Sequence, residues 1–157
     1  MERSLIIIKP DAVQRGLIGP IVTRLEQRGL KLLGLKMIQI DEALARRHYA
    51  VHEGKPFFGS LVQYIISAPS VVAVVAGKDV IQTVRNTVGA TNPSQAAMGT
   101  IRGDFGLEIG RNLIHASESA EEGERESQIW FSKNEILKYN LVQDKILYDV
   151  NLDGIKE

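Results

Sequence analysis

Apolar residues arrive in two rhythms along this chain, and the changes between them mark out its elements. Ser4-Leu5-Ile6-Ile7-Ile8-Lys9 is an unbroken aliphatic run halted by Pro10-Asp11, the pattern of a buried strand. The spacing then lengthens. Pro20 suits a first helical turn, and Ile21, Leu25 and Arg28 before Gly29 predict an amphipathic helix with a glycine stop. Leu30 to Ile40 alternates imperfectly and predicts a second strand. Asp41 can cap a helix through Ala43, Leu44 and His48. Pro56 precedes another helical pattern, Phe57, Leu61, Tyr64 and Ile65, ending before Pro69. Ser70 to Ala76 is almost pure Val and Ala, too apolar for an exposed edge, and predicts the third strand. Asp79 opens a helix through Val80, Val84 and Val88.

Periodicity then fades. Gly89 to Gly110 is dominated by Gly, Pro, Thr, Asn and Arg, and a loop of that length inside a domain is either functional or disordered. Glu118 to Arg125 is polar enough for a short surface helix. Gln128-Ile129-Trp130-Phe131 reads as a last short strand, followed by a helix over Ser132 to Tyr139. About four strands interleaved with helices are too few for a doubly wound sheet. The pattern predicts an α/β (α+β) sandwich of ferredoxin-like β-α-β-β-α-β layout, with a four-stranded antiparallel sheet covered by helices.

Composition narrows the function classes without choosing one. A length of 157 residues is enough for one domain with a core of its own. The absence of cysteine removes disulfides and thiolate metal sites. Nineteen basic and nineteen acidic residues cancel, which argues against broad nucleic-acid binding, since that rests on neutralising many phosphates. Met1-Glu2-Arg3-Ser4-Leu5 has no secretion-signal character, and no apolar stretch could span a bilayer. A cytoplasmic protein is expected.

Neither of the familiar glycine-loop signatures for phosphate is present: there is no G-x-x-x-x-G-K-[ST], and Gly103, Gly106 and Gly110 are wrongly spaced for G-x-G-x-x-G. A phosphate site must therefore be built from side chains. Arg85, Thr91, Arg102, Asn112 and His115 lie in or beside the irregular region. Planar guanidinium forks suit polyphosphate oxygens, although arginines are as commonly solvated or paired with carboxylates. His115 has the chemistry of a nucleophile, because neutral imidazole is abundant near pH 7. A hydroxyl two residues on and a nearby carboxylate could fix its tautomer. The same context also suits a buried turn histidine. His48 and His52 have the spacing of zinc ligands on a helix, but no glutamate between them and no evident third ligand; a structural role is the preferred reading.

Taken in order, these segments resemble the nucleoside diphosphate kinases over about residues 1–133. The resemblance rests on Ile8-Lys9-Pro10-Asp11, His48-Tyr49, Pro56-Phe57-Phe58, Thr91-Asn92-Pro93, Gly99 to Phe105, Gly110-Arg111-Asn112 and His115-Ala116-Ser117. It implies phosphate transfer from a nucleoside triphosphate (mainly ATP) to a diphosphate, by a ping-pong route through a phosphohistidine formed at Nδ1 of His115. It further implies that Lys9, Arg85, Arg102 and Thr91 hold phosphates, and that Asn112 with Lys9 contacts the ribose. Phe57 would stack on the base, Tyr49 would bond near the transferring phosphate, and Ser117 with Glu126 would orient the histidine. Mg²⁺ is expected on the nucleotide's phosphates rather than in a protein cage. A homo-oligomer is implied, hexamer favoured and tetramer possible, with the Thr91–Ile101 loop near a subunit contact.

The chain departs from the family pattern at Glu118, where Asp is usual, and at Ala76 and Ala90, where acidic residues are common. Residues 1–140 would then form the catalytic domain and 141–157 a C-terminal extension without a clear counterpart. That tail is apolar through Leu141, Val142, Ile146, Leu147, Tyr148 and Val150, so it is expected to pack on its own subunit or a neighbour. Two rivals remain. A ferredoxin-like nucleic-acid binder would need exposed sheet aromatics and a basic face, and the strands here are aliphatic. A phosphohistidine relay protein would need neither Phe57 nor Asn112.

Overall fold

The computed structural model describes residues 2–149. The first strand, β1 (Arg3–Ile8), runs into a short helix α1 (Pro10–Gln14), followed by α2 (Ile18–Gln27) and strand β2 (Lys31–Ile38). Two helices follow, α3 (Glu42–His48) and α4 (Phe58–Ile65), then strand β3 (Ser70–Ala76) and helix α5 (Val80–Val88). The remainder comprises α6 (Ile101–Phe105), a three-residue strand β4 (Ile114–Ala116), α7 (Ala120–Trp130) and α8 (Asp144–Leu147). The strands form one antiparallel sheet in the order β2-β3-β1-β4, the ferredoxin-like arrangement expected.

The central strands are apolar throughout because both faces of the sheet are covered. Ile6, Ile8, Val71, Ala73 and Val75 pack with Ile21 and Leu25 of α2 and Val80, Val84 and Val88 of α5. Leu5, Ile7, Val72 and Val74 face the other way, onto Ala45 of α3, Val62 and Ile65 of α4, and Trp130. Asp41 caps α3 as expected, accepting from the Leu44 amide. A bulge at Leu33 shifts the β2–β3 register, and the Leu33 carbonyl accepts instead from the Leu137 amide.

Three expectations are corrected. Gln128–Phe131 is no strand: its first three residues end α7, and the fourth strand is Ile114–Ala116. The buried positions of α7 are Gly123, Glu126, Ser127 and Trp130, so polar residues on the inward face hid a helical rhythm. The helix expected over Ser132 to Tyr139 is a single 3₁₀ turn at Lys133–Glu135, held by a Ser132/Glu135 capping box. The Gly89–Gly110 segment carries α6, capped by the Thr100 hydroxyl, and buries Ile101 and Arg102.

Residues 141–149 pack on the chain itself. The Leu147 side chain lies over Gly29, and Asp144 reaches Lys31 at 3.2 Å. Val142 and Ile146 remain exposed. The part of the tail expectation that concerns Val150 lies outside the described residues.

Candidate active site

Where β1 ends, Lys9 turns the chain into α1, and β4 delivers His115 opposite Ile7. Beside them opens a cleft of about 550 Å³. Eight of the expected site residues line it: Lys9, Tyr49, Phe57, Arg85, Thr91, Arg102, Asn112 and His115. Ser117 and Glu126 are buried outside that lining. Sequence positions spread across more than a hundred residues thus converge because β1 and β4 are neighbours.

His115 sits on a polar chain that runs into the core. Its Nε2 is buried 2.9 Å from Glu126 Oε2, off the line of a well-directed hydrogen bond. With Nε2 turned inward, Nδ1 is the ring nitrogen left to the cleft. Glu126 is fixed in turn: Ser117 Oγ donates to its Oε1 at 2.6 Å and itself accepts from the Leu5 amide at 2.9 Å. Ser117 therefore acts on the histidine only through the carboxylate. Gly123, one turn earlier in α7, allows the helix to lie against β1, since a Cβ there would stand 2.0 Å from the Arg3 carbonyl oxygen.

His48 is a member of this cluster that sequence reasoning missed. It is 3% exposed, its ring edge-on to His115, and its Nδ1 accepts from Trp130 Nε1 at 3.0 Å. Burial, followed by the positive neighbours His115, Arg125, Lys9 and His52, holds its pKa well below the usual histidine value. His52 lies on the cleft lining instead, so the two do not act as a helical ligand pair.

The opposite wall is cationic. Lys9 Nζ donates to Asn112 Oδ1 at 2.9 Å, and Asn112 Nδ2 donates to the Thr91 carbonyl at 3.1 Å. Burial, then the charge of Arg102, pushes the Lys9 ammonium down to about 8. Arg102 is shifted to about 10 by burial and by Arg85. Such a crowd of cations is costly alone and favourable around polyphosphate. Arg102 already donates to the carbonyls of Asn112, Gly89 and Ile114, at 3.1, 3.2 and 2.5 Å. A guanidinium has five donors, so two remain for a ligand. Tyr49 is raised to about 12 by burial and by Glu126, and so stays a neutral phenol able to donate.

The match to the nucleoside diphosphate kinase model extends over residues 2–136. The chain belongs to the nucleoside diphosphate kinase family. It is 66% identical to a nucleoside diphosphate kinase of Roseiflexus castenholzii over 149 residues, covering 95% of this chain and all of that protein. A Chloroflexus aurantiacus relative of the same name is 65% identical over 151 residues, with the same coverage. Among solved structures, the Halobacterium salinarum nucleoside diphosphate kinase in complex with CDP superposes with a TM-score of 0.91 at 48% identity. That match covers 94% of this chain and 99% of that one. A family protein from Babesia bovis gives 0.92 at 41%, covering 94% and 100%. The chain is an enzyme that transfers phosphate between nucleoside triphosphates and diphosphates, a reaction that proceeds in this family through a phosphohistidine.

Proposed function

We propose that His115 carries the phosphate, with Nδ1 attacking the terminal phosphorus while Nε2 keeps its proton beside Glu126. The observation that carries this reading is the inward-facing Nε2, 2.9 Å from a buried carboxylate at the edge of a cationic cleft. As the N–P bond forms, the bond to the bridging oxygen breaks and the nucleoside diphosphate leaves with the electron pair. Positive charge that develops on the ring is met by Glu126. The second nucleotide then takes the phosphate by the reverse route.

Phosphoryl transfer has a loose, charge-spread transition state, so placement and cationic stabilisation matter more than acid–base work. In this reading Lys9, Arg85, Arg102 and Thr91 bind phosphate oxygens, Tyr49 donates near the transferring group, and Asn112 with Lys9 binds the ribose. Phe57, nearly half exposed on the cleft wall, offers the base a stacking face. Among the described residues, Glu118 is the only acidic one lining the cleft. That donor set suits a magnesium ion carried in on the nucleotide's own phosphates and touching Glu118 at most through water. Bound there, the ion would neutralise phosphate charge.

The working form in this reading is a cytoplasmic homo-oligomer, hexamer favoured over tetramer. No helix among the described residues is long and apolar enough to cross a membrane. Leu35 and Met37 stand exposed on the edge strand β2, a liability that self-association would remove.

The test is sequential labelling. Protein incubated with γ-labelled ATP should acquire acid-labile, alkali-stable label, and GDP should then collect that label as GTP. His115→Ala should do neither; turnover within tenfold of wild type in that variant would sink the assignment.

A further inference from the structure

Leu113 is a buried, non-glycine residue held in the left-handed region, with φ +73°. The Ile114 amide donates to the Asn112 carbonyl at 2.8 Å, so residues 112–114 form a γ-turn of the strained, positive-φ kind. On one side of this turn is Asn112 and just beyond its other side is His115. A leucine does not stay in such a conformation unless its surroundings over-determine it.

Those surroundings come from residues 9 to 11 and their partners. The Lys9 amide donates to the Leu113 carbonyl at 2.8 Å. The Leu113 amide donates to Asp11 Oδ2 at 3.1 Å. Asp11 Oδ1 accepts a short hydrogen bond from the Tyr64 hydroxyl, and the Asp11 amide donates back to that hydroxyl oxygen at 3.1 Å. The Arg111 guanidinium lies 4.2 Å from the Tyr64 ring centre, and burial followed by the bond to Asp11 raises the phenol's pKa, keeping it a donor. Arg102 grips the carbonyls on either side of Leu113. Both backbone polar groups of the one strained residue are thus tied to α1 and its approach.

We propose that Asp11 is a positioning residue for phosphoryl transfer, its carboxylate holding the left-handed turn at Leu113 that sets the relative placement of Asn112 and His115. The proposal rests on His115 as the phosphate carrier and adds what keeps it in place. Asp11 touches neither nucleotide nor phosphate in this scheme. Without its acceptor the Leu113 amide loses its partner, and the turn gains a route to relax. A displacement of about 1 Å at a reacting group costs on the order of a hundredfold in rate.

The experiment compares phosphoenzyme formation in single turnover, together with kcat, KM and their pH profiles, for wild type, Asp11→Ala, Asp11→Asn and Tyr64→Phe. Asp11→Ala should lower the rate constant of phosphoenzyme formation by about tenfold or more at temperatures well below its melting point. Asp11→Asn should restore the rate to within about threefold, because an amide oxygen can accept from Leu113 while its NH₂ donates to Tyr64. Tyr64→Phe should fall between the two. In a Leu113→Gly background, where positive φ carries no steric penalty, the Asp11→Ala effect should shrink, giving a non-additive cycle.

An Asp11→Ala protein that is less stable yet phosphorylates at the wild-type rate would overturn the proposal. So would an Asp11→Asn variant as slow as Asp11→Ala with its alkaline limb moved, since Asp11 would then act through its charge on Lys9. Activity persisting in His115→Ala would instead remove the underlying reading.

Discussion

The rings of His48 and His115 meet edge to face, centroids 4.6 Å apart and planes at 87°. His48 is fixed for this contact by Trp130, whose indole N–H fills the Nδ1 lone pair and so requires the neutral ring at that atom. A protonated His48 would lose that bond and press a positive charge against the His115 ring. His48→Phe should leave the buried indole N–H unpaired and cost about 1–3 kcal/mol, whereas His48→Asn keeps an acceptor and should cost less. The sign with pH follows from the depressed folded-state pKa. Between that value and the unfolded value of 6.5 the unfolded chain binds more protons, so stability is lost as pH falls below 6.5. Urea unfolding of wild type and His48→Asn across pH 5–7 checks this. The difference should narrow on acidification, by at most about 1.4 kcal/mol per pH unit.

In its proposed role Lys9 sets stability and function against each other. Its folded-state pKa of about 8 lies below the 10.5 of an unfolded lysine, so the cost of its buried charge is fully present below pH 8 and eases above it. Nucleotide phosphates should restore the proton. Binding of a diphosphate near pH 9 should therefore take up protons, seen as a buffer-dependent heat in calorimetry, and kcat/KM should decline as pH rises through about 8. Lys9→Met should be stabilised at pH 7 by roughly 1–2 kcal/mol after loss of the Asn112 bond, while its rate collapses. A destabilised Lys9→Met would show that the ammonium is better compensated than its surroundings imply.

Gly123→Ala pits helix propensity against contact. Alanine favours an exposed helix by about 1 kcal/mol, but here its Cβ would stand 2.0 Å from a backbone oxygen that cannot swing away. The clash should win, with a net loss of about 2 kcal/mol. Helix α7 must then shift outward, carrying Glu126 with it, so phosphoenzyme formation should slow as well. Thermal unfolding and single-turnover labelling of one preparation test both halves; a stabilised variant with full activity would contradict the packing.

Much of this was legible beforehand, and the misses have a physical reason. β1 and β3 are continuous aliphatic runs because two cores share them. β4 is three residues long and carries no period, so it did not advertise itself. The first half of α7 fell within the helix read over Glu118 to Arg125, but Glu126 and Ser127 turn inward and hid its second half. The motif residues around the cleft were readable through the family resemblance, which also supplied Ser117 and Glu126. Asp11 and His48 fell inside matched stretches, but their roles were not readable, and Tyr64 and Trp130 lay outside those stretches altogether. Asp11 read as a strand stop and Trp130 as a strand, and nothing in a leucine's identity announces a positive φ.

Truncation after Tyr139 should separate the tail from catalysis. Leu147 over Gly29 is about half exposed, worth about 1 kcal/mol, and the surface pair Asp144–Lys31 adds less. Both lie at the Ala76 end of the sheet, away from Lys9 and His115. Melting temperature should fall by several degrees with kcat unchanged, and light scattering on the same sample reports whether assembly survives. Loss of turnover by the folded truncated protein would tie the tail to the site.

The doubly covered sheet leaves a folding problem that polar residues at the candidate site solve. In most sheets a one-residue slip is forbidden because it turns apolar side chains to water. In β1 that safeguard is missing: Leu5 and Ile7 serve one core, Ile6 and Ile8 the other, and all four are fully buried. Exchanging the two sets would expose nothing. Proofreading of the alignment falls to the polar ends, where Ser117 clasps both the amide and the carbonyl of Leu5 and Lys9 must reach Asn112. A misthreaded strand would drag Lys9 into a seat shaped for Ile8. The side chains proposed for nucleotide chemistry thus also act as the molecule's alignment marks, and replacing them should cost fidelity of assembly as well as rate.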